Sequence, residues 1–180
     1  RTDPNTVLMN FAEAATGRLN TALRDHPRMY RQGTHLQPAL RALLPLPYDC
    51  LQLRQLSVNG AVLRQYPATV LTGEACRPAH GFIERGDCIE LTAPPAVDTT
   101  YTIGYCQALT APSPTAGENN WVLQFFPDVY LYTMLSEVAI AIKDRDNGPV
   151  WEGQAQARIA ALSLQGWNQN LADAPRVVGR

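Results

Sequence analysis

Apolar residues recur along this chain at two periods, and the points of change divide it. Leu8, Phe11, Ala15, Leu19 and Leu23 repeat at three to four residues, the spacing of one helix face. Asp3-Pro4 places a capping residue before a proline at the first helical position, and Pro27 ends the pattern. A helix is therefore expected over about residues 4–25. Residues 26–44 are mixed, with Tyr30-Arg31-Gln32-Gly33-Thr34 reading as a loop that leads into an extended segment.

From Leu44 the period becomes two. Pro45 and Pro47 exclude helix; Leu51 and Leu53 alternate with polar residues, and after a slip Leu56 and Val58 follow. Asn59-Gly60 is a hairpin signal, because both residues accept the positive φ of a type I′ turn, and the return strand is expected over 61–66. A second hairpin is expected around Arg85-Gly86-Asp87, and its second strand ends at Ala93-Pro94-Pro95. Residues 99–106 are rich in β-branched and aromatic side chains and read as another strand. Residues 111–117 form a Pro-rich linker.

Past the linker the helical period returns. Asn119 and Asn120 can cap a short apolar turn, Pro127 suits the start of a new helix, and Asp128 sits in its positive first turn. Leu131, Leu135, Val138 and Ile142 read as one buried face of an amphipathic helix reaching about Asp146. Asn147-Gly148-Pro149 breaks it, and a last helix is expected over about 149–165 with Trp151, Ala155, Ile159 and Leu162 on one face. So short a break favours an antiparallel helical hairpin. Residues 168–180 carry no period and read as a tail. The expected class is α+β: a bundle of the first helix and the C-terminal hairpin, an inserted antiparallel β-subdomain, and an extended tail. The expected segments are 1–43, 44–110, 111–167 and 168–180.

At 180 residues this is one compact domain, or one with a subdomain, and 46% hydrophobic content supports a core. A net charge of −1 argues against a general nucleic-acid binder, although not against a protein that surrounds DNA without gripping it. Lys143 is the lone lysine among the basic residues, as coding bias from a GC-rich genome would leave it. Cys50, Cys76, Cys88 and Cys106 form no CxxC pair and read as free thiols of a reducing compartment. No signal peptide and no run long enough to span a bilayer stands out, so no membrane partner is expected. The chain starts at Arg1 rather than Met, which suggests a fragment, a processed form or the loss of first residues.

Candidate chemistry changes the picture little. His26, His35 and His80 stand apart from any Cys or carboxylate at ligand or triad spacing, and read as surface or loop residues. Asp144 and Asp146 alternate with Lys143 and Arg145, as at a solvated helix end. Arg85-Gly86-Asp87 has the letters of an adhesion motif, but a tight turn needs glycine there in any case. Trp121, Tyr130, Tyr132, Trp151 and Trp167 suit core or subunit packing better than a binding strip. With no nucleophile, phosphate-loop or zinc signature, no enzyme activity, cofactor or metal is expected.

Four ordered pieces carry a family resemblance: LPLPYDCLQLRQLSVNGAVL, CIELTAPPAVDTTYTIGYCQAL, NNWVLQFFPDVYLYTMLSEVA and WEGQAQARIAALS, within residues 44–165. Together they resemble the head-to-tail adaptor, or connector, proteins of tailed bacteriophages, the short-tailed type above all. The departures are a first helix that aligns only loosely, and Tyr48 and Cys50 around Asp49. The resemblance implies a structural virion protein of the neck, made in the host cytoplasm. It forms a homo-oligomeric ring, usually of twelve copies, that binds the portal protein above and a tail or nozzle protein below. DNA would pass through its channel without sequence-specific binding. In that setting Leu171, Pro175, Arg176, Val177, Val178 and Arg180 are the candidates for docking on the portal or a neighbouring subunit. Trp121, Leu131, Leu135, Val138, Ile142, Trp151, Ile159 and Leu162 are the candidates for bundle or interface packing. The alternative is a soluble binding module of a phage tail or neck that recognises a glycan or receptor through Tyr66, Tyr101 and Tyr105.

Overall fold

The computed structural model describes residues 4–67, 80–112 and 119–173, with the side chains of residue 4 and of 167–173 left out. The chain divides into two compact units, residues 1–29 with 108–180, and residues 30–107. The class is α+β.

The first unit is helical. It holds α1 (Pro4–Ala22), a 3-10 turn (Pro27–Met29), α2 (Trp121–Phe125), α3 (Pro127–Ile142) and α4 (Gly148–Asp173). Of the predicted face, Ala15 and Leu19 are buried in α1 and Leu23 just beyond its end, which comes at Ala22 rather than near residue 25; Phe11 is half-buried, Leu8 is exposed, and Ala12 is buried instead. Asn120 caps α2, its side chain accepting from the Leu123 amide at 2.9 Å. Pro127 opens α3 without a lost hydrogen bond. α3 ends at Ile142 rather than near Asp146. Lys143 takes the left-handed conformation (φ 57°), and the Asp144 amide turns back to Ala139 O at 2.9 Å. The Asp144 carboxylate then accepts from the amides of Asp146 and Asn147, so these residues build a turn. α4 runs to Asp173, well past residue 165; Leu171 therefore lies on its backbone and not in a tail. Pro175, Arg176, Val177, Val178 and Arg180 fall outside the described residues.

The second unit contains two four-stranded sheets. The strands are β1 (Tyr30–Gln37), β2 (Leu43–Pro45), β3 (Cys50–Val58), β4 (Ala61–Val62), β5 (Arg64–Gln65), β6 (Gly81–Arg85), β7 (Cys88–Leu91) and β8 (Thr99–Gln107). One sheet has the order β1-β8-β3-β4 and the other β2-β7-β6-β5. Leu53, Leu56, Tyr101, Ile103 and Tyr105 from the first pack with Leu44, Phe82, Ile89 and Leu91 from the second in one core.

Asn59 (φ 50°) and Gly60 (φ 80°) make the expected turn, and Gly86 (φ 58°) makes the second. The return strand does not run on to residue 66. It breaks at Leu63 into β4, which stays with β3, and β5, which joins the other sheet parallel to β6. The β unit is thus antiparallel except at that pair. The slip in β3 is a bulge between Leu53 and Gln55, and a second bulge between Cys50 and Gln52 turns Leu51 outward. β1 is a full strand paired with β8 over its whole length, so the β unit begins at Tyr30 and not at residue 44.

Candidate functional site

Among the described residues the titratable side chains gather into no reaction centre. Among the described residues no group of three or more His, Cys, Asp or Glu could hold a metal. His26 is not a surface residue: it is buried, stacked on Trp121 with ring centres 4.9 Å apart, and its Nδ1 accepts the Arg28 amide at 3.1 Å. Burial, and then the Arg28 charge, lower its pKa. Cys50, Cys88 and Cys106 are free, and burial pushes the Cys50 thiol up to about 11, so it stays protonated at neutral pH. The Arg85 guanidinium is held by Glu90 at 2.7 Å, which ties the turn motif into its own sheet. Tyr101 and Tyr105 lie in the core of the β unit and Tyr66 is half-buried, so the three tyrosines do not make one exposed face. No helix among the described residues is long and apolar enough to cross a membrane.

The helical unit carries a more informative arrangement, because α3 buries a partly polar side and carries apolar residues on the other. Its inner side buries Val129, Tyr130, Thr133, Ser136 and Ala139. The Tyr130 hydroxyl donates to Ala12 O at 2.9 Å and touches the Thr16 hydroxyl, which also reaches Ala12 O at 2.7 Å. Arg18 of α1 clamps Glu152 of α4 with bonds of 2.7 and 2.5 Å, and Ser136 of α3 donates to the same carboxylate at 2.5 Å. The Arg18 hydrogen bond is the main cause that holds the Glu152 carboxyl down at about 2. Arg158 of α4 binds Asp128 at 2.6 Å and lies over the Tyr132 ring at 4.4 Å.

Leu131, Leu135, Val138 and Ile142 are therefore not the buried face of α3. They lie on the side opposite to it: Leu131 is 54% exposed, Ile142 67%, and the two between them half-buried. The inner side escaped the periodicity reading because Thr133 and Ser136 are polar. Both are buried here with partners, Thr133 bonding Val129 O. Trp121 and Trp151 are half-buried, Trp151 beside Tyr132; in α4 Leu162 is buried and Ile159 half-buried. Between α1 and α3 opens a cavity of about 390 Å³, lined among others by Leu8, Met9, Pro112, Asn119, Tyr130 and Met134.

The SU10 adaptor protein family matches residues 1–179. The chain belongs to that family. It is a bacteriophage head-to-tail adaptor, a structural virion protein, and adaptors of this kind are not enzymes. Among curated proteins none matches the chain. As an adaptor it works by contact with other virion proteins, so the surfaces to weigh in this family member are those that its own fold leaves uncovered.

Proposed function

We propose that this chain is the repeating subunit of a ring in the virion neck, seated between the portal and a tail or nozzle protein, and continuing the DNA channel. The observation that carries this reading is the family match over nearly the whole chain. Twelve copies are the number that the resemblance to connector proteins implies. A net charge of −1 agrees with a conduit. A ring making many phosphate contacts would hold DNA strongly and in a salt-dependent way, which would slow passage.

Docking on the portal is assigned to the residues that follow α4, with Val177 and Val178 as apolar anchors and Arg176 and Arg180 as charges. One such segment binds weakly, but many on one ring act together, since each later contact is effectively intramolecular. Native mass measurement and electron imaging of the chain mixed with purified portal rings test the proposal. A closed ring of this chain on the portal is expected; single copies, or none bound, would sink it. Deleting 174–180 should leave a folded protein that no longer loads, and normal loading would remove the docking role.

A further inference from the structure

We infer that the free edge of β1 takes up an extended segment of the tail or nozzle protein as a further strand of its sheet. The inference deepens the proposed function and rests on it. Among the described residues each sheet of the β unit ends in two edge strands, and three of these four edges are blunted. β4 and β5 have two residues each, and β2 has three with Pro45 among them. β1 has eight, pairs with β8 without a bulge, and contains no proline and no lysine. Alternate N–H and C=O groups of an edge strand face away from its partner, so β1 offers a second ladder as long as the one it already makes.

The chain is strained just past the end of that edge. Leu40, in the turn from β1 to β2, takes a left-handed φ of 63°, which a leucine disfavours, and its side chain is exposed. The turn is pinned on both sides of it. The Leu40 amide donates to Pro95 O at 2.8 Å, the Ala39 amide to Asp98 Oδ1 at 2.9 Å, and Gln37 Nε2 to the carbonyl oxygens of Arg41 and Leu43. A rigid, strained and exposed leucine here, with Leu36 60% exposed on β1 itself, gives an incoming strand apolar anchors at one end of the ladder. The edges also select the occupant. A second copy pairing β1 with β1 would make an isologous two-fold, which closes as a dimer and does not continue a ring. A second copy pairing through any other described edge would gain only two or three residues of ladder. Docking on the portal is assigned to the residues after α4, which leaves the protein below. The segment that fits is extended and carries an apolar residue to meet Leu36 or Leu40.

Hydrogen exchange, read by mass spectrometry on peptides across residues 30–37, tests this on the free chain, on the chain assembled on purified portal rings, and on that assembly with the purified tail or nozzle protein added. Protection of β1 is expected to rise only in the last, at about half of its amides, the alternate ones. Full protection in the free chain would mean that the chain covers its own edge, and protection gained on ring assembly would assign the edge to a neighbouring copy or the portal; either overturns the inference. A tail or nozzle protein that docks, as imaging shows, without protecting β1 also overturns it and leaves the ring reading intact. If no ring forms, or nothing docks below it, the ring reading falls and the inference falls with it. A Leu36→Lys, Leu40→Gly double variant provides the second arm. Lysine on an edge strand opposes pairing, and glycine accepts the left-handed φ without strain. The variant should keep its melting midpoint within about 4 °C and bind the tail or nozzle protein at least about tenfold more weakly. A folded variant that binds it normally would overturn the inference.

Discussion

The β unit and the helical unit of this adaptor hold their registers by different means. In the β unit the backbone does it. β8 is laddered to β1 on one side and to β3 on the other, and the core behind the two sheets is built of apolar and tyrosine side chains. In the helical unit no ladder joins one helix to the next. Register there rests on single side chains: Tyr130 and Thr16 on Ala12 O, Arg18 on Glu152, Asn20 on the backbone of Leu109. A ladder shares its hold among many equivalent bonds. A side-chain clamp concentrates it in one pair, which a substitution or a proton can remove.

The largest effect expected from this contrast lies in the β unit. Leu56→Ala removes a fully buried side chain from between the sheets and should cost about 3 kcal/mol. Amide exchange followed during unfolding should place the loss in β3 and β8. Equal acceleration in α1 and α3 would mean that the two units unfold as one, and the contrast would fail. Next comes Gly166→Ala in α4. A Cβ there would stand 2.5 Å from His26 Cδ2 and 2.9 Å from Pro27 Cδ, so overpacking should cost about 2 kcal/mol. A thermal melt unchanged by the substitution would show that α4 is not seated so closely on that turn.

The sequence and the structure agree where local chemistry decides. Asn59-Gly60, Gly86, the Asn120 cap and Pro127 each act through their own backbone preferences and could be read one residue at a time. The slip in β3 was legible for a similar reason, since it shows directly in the pattern, whereas the apolar spacing of α1 held for Ala15, Leu19 and Leu23 and not for the exposed Leu8. β1 was not legible, because YRQGTHLQ is exposed along most of its length and carries no alternation. Its partner β8 makes it a strand, and that pairing is a long-range fact. The parallel pairing of β5 depends on the chain crossing between sheets at Leu63, which two-residue strands cannot signal. Leu40, left-handed at φ 63° and 79% exposed, has no local sequence reason at all. For the candidate site, periodicity found the stripe on α3 but assigned it to the wrong side of the helix. Polar residues with buried partners look like surface until the partners are known.

A smaller effect tests the clamps themselves. Arg18→Met removes the guanidinium but keeps much of the packing. Hydrogen bonds between charged groups contribute about 1.5–3 kcal/mol. Partial exposure of this pair reduces that to about 1 kcal/mol. The same pair predicts an acid limb. Glu152 is lowered from 4.5 to about 2, so its contribution is full above pH 4.5 and is lost as pH falls toward 2. The Arg18→Met protein should show a shallower loss over that interval in chemical unfolding. An acid limb of unchanged depth would assign the sensitivity to another carboxylate.

The smallest effect belongs to His26, and its sign distinguishes a buried neutral imidazole from a surface one. Its folded pKa is lowered from 6.5, so on acidification the unfolded chain takes the proton first. Stability should then be full above pH 6.5 and decline below it, with a slope under about 1.4 kcal/mol per pH unit. The cause is local. Burial disfavours an imidazolium, the Arg28 charge adds to that, and Nδ1 already accepts the Arg28 amide, a bond that protonation destroys. His26→Gln should lower stability at neutral pH by removing the stack on Trp121, and should also flatten the dependence between pH 7 and 5.5. The flattening is the decisive reading, because lost packing alone shifts the whole curve without changing its slope. A slope that survives the substitution would leave the helical unit's sensitivity to acid with its carboxylate clamps alone.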